Sequence, residues 1–165
     1  MATPLKILFA DDDLKYSLLL KRFLEKEGYD VAYTGNGMMA LEQFPVVKPD
    51  LVLLDINMPK LDGFGVLKAM NANHIIEDIP VIMISSEDSA LHIRQAYEMG
   101  VSDYISRPFD SRVVYQRVFN TIKLYAKQRR LISLVSDQMY EKDKNNRMMI
   151  SILSQIVEFR NGESG

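Results

Sequence analysis

The chain has 165 residues, room for one α/β core of roughly 100 to 150 residues plus an appendage, but not for a second full domain. It is 47% hydrophobic and 25% charged, an ordinary globular balance, and its formal net charge of -2 gives no whole-chain pull toward nucleic acid or an anionic membrane. The absence of cysteine excludes disulfides, thiolate chemistry and cysteine-ligated metals.

The start, "MATPLKILFADDD", lacks the basic, apolar and small-residue segments of a signal peptide. No apolar run approaches the ~18 residues of a membrane span, so a cytoplasmic protein is expected. Short apolar runs follow at "LKILFA" (5–10), "YDVAYT" (29–34), "DLVLLD" (50–55), "IPVIMIS" (79–85) and "VSDYIS" (101–106). Between them lie stretches of helical spacing: Leu14, Leu18, Leu19, Phe23 and Leu24 up to Gly28, then Met38, Leu41 and Phe44 up to Pro45. Phe64, Leu67 and Met70 mark a third helix, and Leu91, Ala96 and Met99 a fourth that Gly100 ends. Strands alternating with helices predict an α/β fold with a doubly wound parallel sheet. The first, third and fourth runs are apolar almost throughout, as central strands covered on both faces must be.

From Ser111 to Gly162 there is neither Gly nor Pro, which predicts a long helix. A 3.5-residue spacing picks out Val118, Ile122, Tyr125, Arg129, Ile132, Ser136, Met139, Asp143, Asn146, Ile150, Leu153 and Val157. This seam is apolar at both ends and polar in the middle, at "YEKDKNNR" (140–147). It suggests a two-stranded helical linker with a hinge near Asn145 and Asn146, the alternative being a solvated single helix. The expected organisation is therefore a domain over 1–125, a helical linker over 126–147, and the start of an output domain over 148–165 that stops in a polar loop.

In open parallel sheets ligands sit beyond the carboxyl ends of the strands. Those ends carry Asp11, Asp12 and Asp13, then Asp55, then Ser85 and Ser86, then Arg107. With the flavodoxin-like order 2-1-3-4-5, the first and third strands are neighbours and their carboxylates converge. Such a cluster cannot stay ionised uncompensated; a hard divalent cation such as Mg²⁺ is the natural counter-ion. Carboxylates, metal, a hydroxyl and a cation together describe a phosphoryl-binding site in which a carboxylate can itself be the nucleophile. Taken singly, "DDD" reads as a turn or helix cap, and Ser85 and Ser86 as caps of the fourth helix.

"ILFADDD", "LVLLDINMPKLDG", "VIMISS" and "YISRPF", in that order, resemble the receiver domain of two-component response regulators over about residues 5–125. The resemblance implies Asp55 as phosphoacceptor for a sensor histidine kinase, and Asp11 and Asp12 as Mg²⁺ ligands together with Asp55 and the backbone carbonyl of Asn57. It further implies Ser85 as the hydroxyl that bonds the phosphoryl group, Tyr104 as the aromatic switch residue, and a cis bond between Arg107 and Pro108. Receivers carry lysine where this chain has Arg107. The arginine is expected on the far wall of the site, facing the phosphoryl group; the alternative is a degenerate receiver locked by an Arg107–Asp55 ion pair. At the other end, "IVEFRNGESG" (156–165) resembles the start of HD-GYP-type phosphohydrolase domains, implying a cyclic di-GMP phosphodiesterase output switched through a helical homodimer. The other reading is a receiver serving a DNA-binding or protein-binding output. His74 and His92 lack ligand spacing, and these residues contain no hydrolase site, no direct nucleic-acid contact and no membrane contact by expectation.

Overall fold

The computed structural model describes residues 3–87 and 89–163, with side chains as far as residue 158. Five strands, β1 (Lys6–Ala10), β2 (Asp30–Thr34), β3 (Leu51–Leu54), β4 (Val81–Ser85) and β5 (Asp103–Ser106), form one parallel sheet in the order β2-β1-β3-β4-β5. This is the expected flavodoxin-like architecture. Every residue of β3 and β4 is buried, which explains their unbroken apolar character.

The helices are α1 (Leu14–Lys26), α2 (Gly37–Val47), α3 (Gly63–Ala72), α4 (Ala90–Glu98) and α5 (Ser111–Glu163). Alternate strand residues feed two separate cores. Ile7, Phe9, Leu51, Leu53, Ile82 and Ile84 pack with Leu20 and Leu24 of α1 and with Val114 and Val118 of α5. Leu8, Ala10, Val52, Leu54, Val81 and Met83 pack with Ala40, Phe44, Val66, Leu67, Met70 and Ala96 of α2, α3 and α4. The period-2 alternation of strand side chains thus sorts the helices onto the two faces.

Three expectations are corrected in detail. Leu14, Leu18 and Leu19 mark α1 but do not form its buried face: they are exposed, while Ser17, Leu20 and Leu24 point inward. The helix phase is set at its start, where Asp13 accepts from the Tyr16 N–H and Ser17 Oγ donates to the Asp13 carbonyl at 2.6 Å. Second, α2 does not stop at Pro45 but runs through it to Val47, ending at Lys48 in the left-handed region with φ 51°. Third, Ser89, and not Ser85 or Ser86, caps α4, its Oγ accepting from the His92 N–H at 3.2 Å.

The chain divides into two compact units, Met1–Lys123 and Leu124–Gly165. The second unit is helical as far as Glu163. Asn145 and Asn146 form no break in it, nor is there a loop at Gly162, the expected hinge and loop both being replaced by helix. A single Gly costs a helix only about 1 kcal/mol, and without Pro nothing else interrupts the backbone ladder. Among the described residues no helix is long and apolar enough to cross a membrane.

Candidate functional site

The register of the sheet assembles the site. Ala10 lies opposite Leu54 in the pairing of β1 with β3, so the next residues, Asp11 and Asp55, leave the sheet side by side. Two hydrogen bonds extend the ladder past the strand ends: the Asp55 N–H donates to the Ala10 carbonyl at 2.9 Å and the Asp11 N–H to the Thr34 carbonyl at 3.1 Å. Ser85 lies opposite Ser106, and the Arg107 N–H then donates to the Ser85 carbonyl at 3.0 Å. Behind Asp55 the start of α3 presses on the loop backbone. A Cβ on Gly63 would stand 2.3 Å from the Asp55 carbonyl oxygen, so any side chain there forces the backbone to shift.

Asp11, Asp12 and Asp55 each bring a carboxylate oxygen to within 4.8 Å of the others. Asp11 and Asp55 are buried and Asp12 is exposed. Asp55 Oδ1 accepts from the Ile56 N–H at 2.8 Å, a bond that favours the charged form. Burial, and then the Asp12 carboxylate, outweigh it and push the Asp55 carboxyl up to about 7. Asp11 Oδ1 accepts from the Asp13 N–H at 2.9 Å, whereas Oδ2, fully buried, has no hydrogen-bond partner. That oxygen is met by a guanidinium nitrogen of Arg107 as an ion pair. Three carboxylates within reach of one another, two of them buried, are a donor set for a hard cation, and Mg²⁺ fits it.

The remaining predicted residues surround this cluster. Ser85 is fully buried and its Oγ accepts from the Glu87 N–H at 3.1 Å. Tyr104 is buried, its hydroxyl donating to the Glu87 carbonyl. Asn57, two residues beyond Asp55, is exposed, and its Nδ2 donates to Glu87 Oε1 at 3.3 Å. The Arg107–Pro108 bond is cis.

Arg107 is placed otherwise than expected. Its Nη2 meets Asp11 Oδ2, its Nη1 lies 4.0 Å from Asp13 Oδ2, and its Cζ stands 5.9 Å from the centre of the Phe109 ring. Among the described residues its ion pairs are with Asp11 and Asp13, so the Arg107–Asp55 lock is not formed. The contact with Asp11 is an ion pair that compensates one charge of the cluster, while Arg107 Nε has no hydrogen-bond partner. Burial pulls the guanidinium below its ordinary value.

Two residues of the site escaped the sequence reading. Tyr33 Oη donates to the Asp11 carbonyl at 2.5 Å, bracing the acidic loop from β2. Glu87 joins the Ser85, Asn57 and Tyr104 interactions in one loop; its position just past the end of β4 was the available signal. His74 and His92 lie outside the cluster, against Glu77 at 3.5 Å and Ser89 at 2.5 Å respectively.

Comparison with known proteins agrees with this architecture. The chain is 37% identical over 113 residues to the alkaline phosphatase synthesis transcriptional regulatory protein PhoP of Bacillus subtilis, covering 68% of this chain and 46% of that protein. It is 39% identical over 113 residues to the transcriptional regulatory protein CpxR of Escherichia coli, covering 68% and 47%. The chain therefore spans just under half the length of these curated relatives. The BeF3-activated N-terminal receiver domain of Klebsiella pneumoniae RstA matches with a TM-score of 0.66 and 32% identity, over 71% of this chain and 97% of that one. The receiver domain of Francisella response regulator 1452 matches with a TM-score of 0.68 and 32% identity, over 76% and 99%. With the model of the response regulator receiver domain matching residues 7–119, the chain belongs to that family.

Proposed function

We propose that this chain is a phosphorylation-switched signalling module, with Asp55 as the phosphoacceptor for a sensor histidine kinase. The observation that carries the reading is the convergence of Asp11, Asp12 and Asp55, two of them buried, each with a carboxylate oxygen within 4.8 Å of the others. Asp11, Asp12, Asp55 and the Asn57 backbone carbonyl would hold Mg²⁺, which when bound supplies positive charge for the transferring phosphoryl oxygens. An Asp55 oxygen attacks phosphorus; the bond from phosphorus to the donor imidazole nitrogen breaks, and the imidazole leaves with the electron pair. Asp55 must be ionised to attack, and its raised value makes that state sensitive to the charge balance around it. Ser85 Oγ accepts from the Glu87 N–H and keeps its own proton to donate to the transferred group, and Tyr104 is tied to the same loop through the Glu87 carbonyl.

The test is incubation with acetyl phosphate and Mg²⁺, read by intact mass. The parent gains one phosphoryl group, and Asp55→Asn does not. A parent mass unchanged with Mg²⁺, or labelling that persists in Asp55→Asn, refutes the assignment.

For the output, the relatives reported above are transcriptional regulators by name, which supports a DNA-binding output for the full-length protein over the cyclic di-GMP phosphodiesterase suggested by residues 156–165. A mobility shift of DNA by the full-length protein tests it; hydrolysis of cyclic di-GMP by the same preparation overturns it. Leu131, Ile132, Val135, Met139, Ile152 and Ile156 of the second unit are each at least half exposed, which supports pairing of this helix in a homodimer.

A further inference from the structure

The fate of Arg107 is the feature that the phosphoacceptor reading leaves open. Its side chain is 17% exposed, Asp11 is 0% exposed, and the two meet as an ion pair in which Asp11 Oδ2 and Arg107 Nε and Nη2 lack hydrogen-bond partners. The guanidinium therefore compensates one charge of the acidic cluster, at the desolvation cost that a buried ion pair carries. The carboxylate it covers is one of the three that converge within 4.8 Å as a cation donor set.

A second resting place lies next to the first. Asp13 Oδ2 is 4.0 Å from Arg107 Nη1, its side chain is 38% exposed, and the Phe109 ring offers a cation–π surface 5.9 Å from Cζ. A cleft of about 350 Å³ lined by Asp13, Tyr16, Ser86, Arg107, Pro108 and Phe109 gives the side chain room to leave Asp11.

We propose that Arg107 is a tethered counter-ion that competes with the divalent metal for Asp11, so that metal loading and release of the Arg107–Asp11 pair are a single exchange. This rests on the receiver reading and adds a specific cost to it. Metal reaches Asp11 only when the guanidinium moves toward Asp13 and Phe109, and metal affinity is set as much by Arg107 as by the carboxylates. Divalent binding displaces a monovalent cation, so the cluster is compensated in both states. The loaded state also frees the guanidinium for an oxyanion brought to Asp55.

The experiment uses Mn²⁺ as the probe, counted by the electron paramagnetic resonance of the free ion over the unphosphorylated chain. Arg107→Gln binds Mn²⁺ about tenfold more tightly than the parent, whereas Arg112→Gln, which removes an exposed charge elsewhere on the same unit, leaves affinity within twofold. Without metal, Arg107→Gln melts below the parent, and saturating Mg²⁺ closes the gap. On the parent itself, the Arg107 Nε–H resonance is protected from exchange without metal and loses that protection on Mg²⁺ addition. Arg107→Gln affinity within twofold of the parent, an equal gain in Arg112→Gln, or protection unchanged by Mg²⁺ overturns the exchange while leaving the phosphoacceptor reading intact. Failure of both parent and Arg107→Gln to bind Mn²⁺ overturns the metal site, and the exchange with it.

Discussion

Replacing Asp55 with Asn isolates the electrostatic cost of the acidic cluster. The carboxyl is held at about 7 in the folded chain against an ordinary 3.8, by burial first and by Asp12 second. The residue is 4% exposed. Because the folded value is raised, the unfolded chain gives up this proton first. The contribution of Asp55 to stability is thus intact below about pH 4 and is lost as pH rises through about 7. At 1.36 kcal/mol per unit the full gap corresponds to roughly 4 kcal/mol, and screening by water at the site lowers this to about 2–4 kcal/mol. Asparagine keeps the shape and the Oδ1 acceptor for the Ile56 N–H, now 2.8 Å away, while removing the charge. Metal-free Asp55→Asn is therefore more stable than the parent by about 2–4 kcal/mol at pH 8, the advantage shrinking to nothing near pH 4. Urea unfolding in chelator, followed by far-ultraviolet circular dichroism because the chain has no tryptophan, measures it. Titrating groups remote from the acidic cluster are common to both chains and cancel in the difference. A difference that stays flat between pH 4 and pH 8 refutes the reasoning.

Gly63→Ala places a Cβ 2.3 Å from the Asp55 carbonyl oxygen and 2.9 Å from Ile56 Cα, both backbone atoms, so it destabilises the chain by about 1–3 kcal/mol or more in the same urea assay. Ser89→Ala removes the acceptor that caps α4 and costs about 1 kcal/mol, whereas Ser86→Ala, at a position the sequence alone offers equally well, stays within about 0.5 kcal/mol. Tyr104→Phe leaves the Glu87 carbonyl without its side-chain donor and lowers stability by about 1 kcal/mol; an unchanged urea midpoint would mean that the hydroxyl bond contributes nothing.

The fold was legible because its signals are local. Continuous apolar runs such as Leu51–Leu54 can only be strands covered on both faces, and helical spacing between them leaves few topologies. Convergence of Asp11 with Asp55 followed from the strand order, since neighbouring parallel strands of similar length end together. Which face a helix buries was less legible. "LLL" at 18–20 offers three adjacent apolar side chains, and only the phase fixed by Asp13 and Ser17 selects Leu20 for the core. The capping serine of α4 was hidden for a related reason. Ser85, Ser86 and Ser89 all precede the helix, and the choice depends on where β4 stops, two residues beyond its last pairing with β3.

Arg107 marks the limit of inference from residue type. That a cation belongs beside the cluster follows from charge balance, but four carboxylates at adjacent strand ends, Asp11, Asp12, Asp13 and Asp55, offer it nearly equivalent partners in sequence. Backbone pairing decides among them. Ser85 and Ser106 are in register, the Arg107 N–H is tied to the Ser85 carbonyl, and from that anchor the guanidinium lies on Asp11 with Asp13 next to it. The Asp55 carboxyl is held near 7 by burial first and by the Asp12 carboxylate second, with no cation paired to it among the described residues. The same placement thus has two consequences: it withholds compensation from the proposed nucleophile, and it occupies the oxygen a metal needs. Under the proposed exchange, supplying the metal would reverse both, and the readiness of Asp55 to accept a phosphoryl group would follow the cation that holds Asp11.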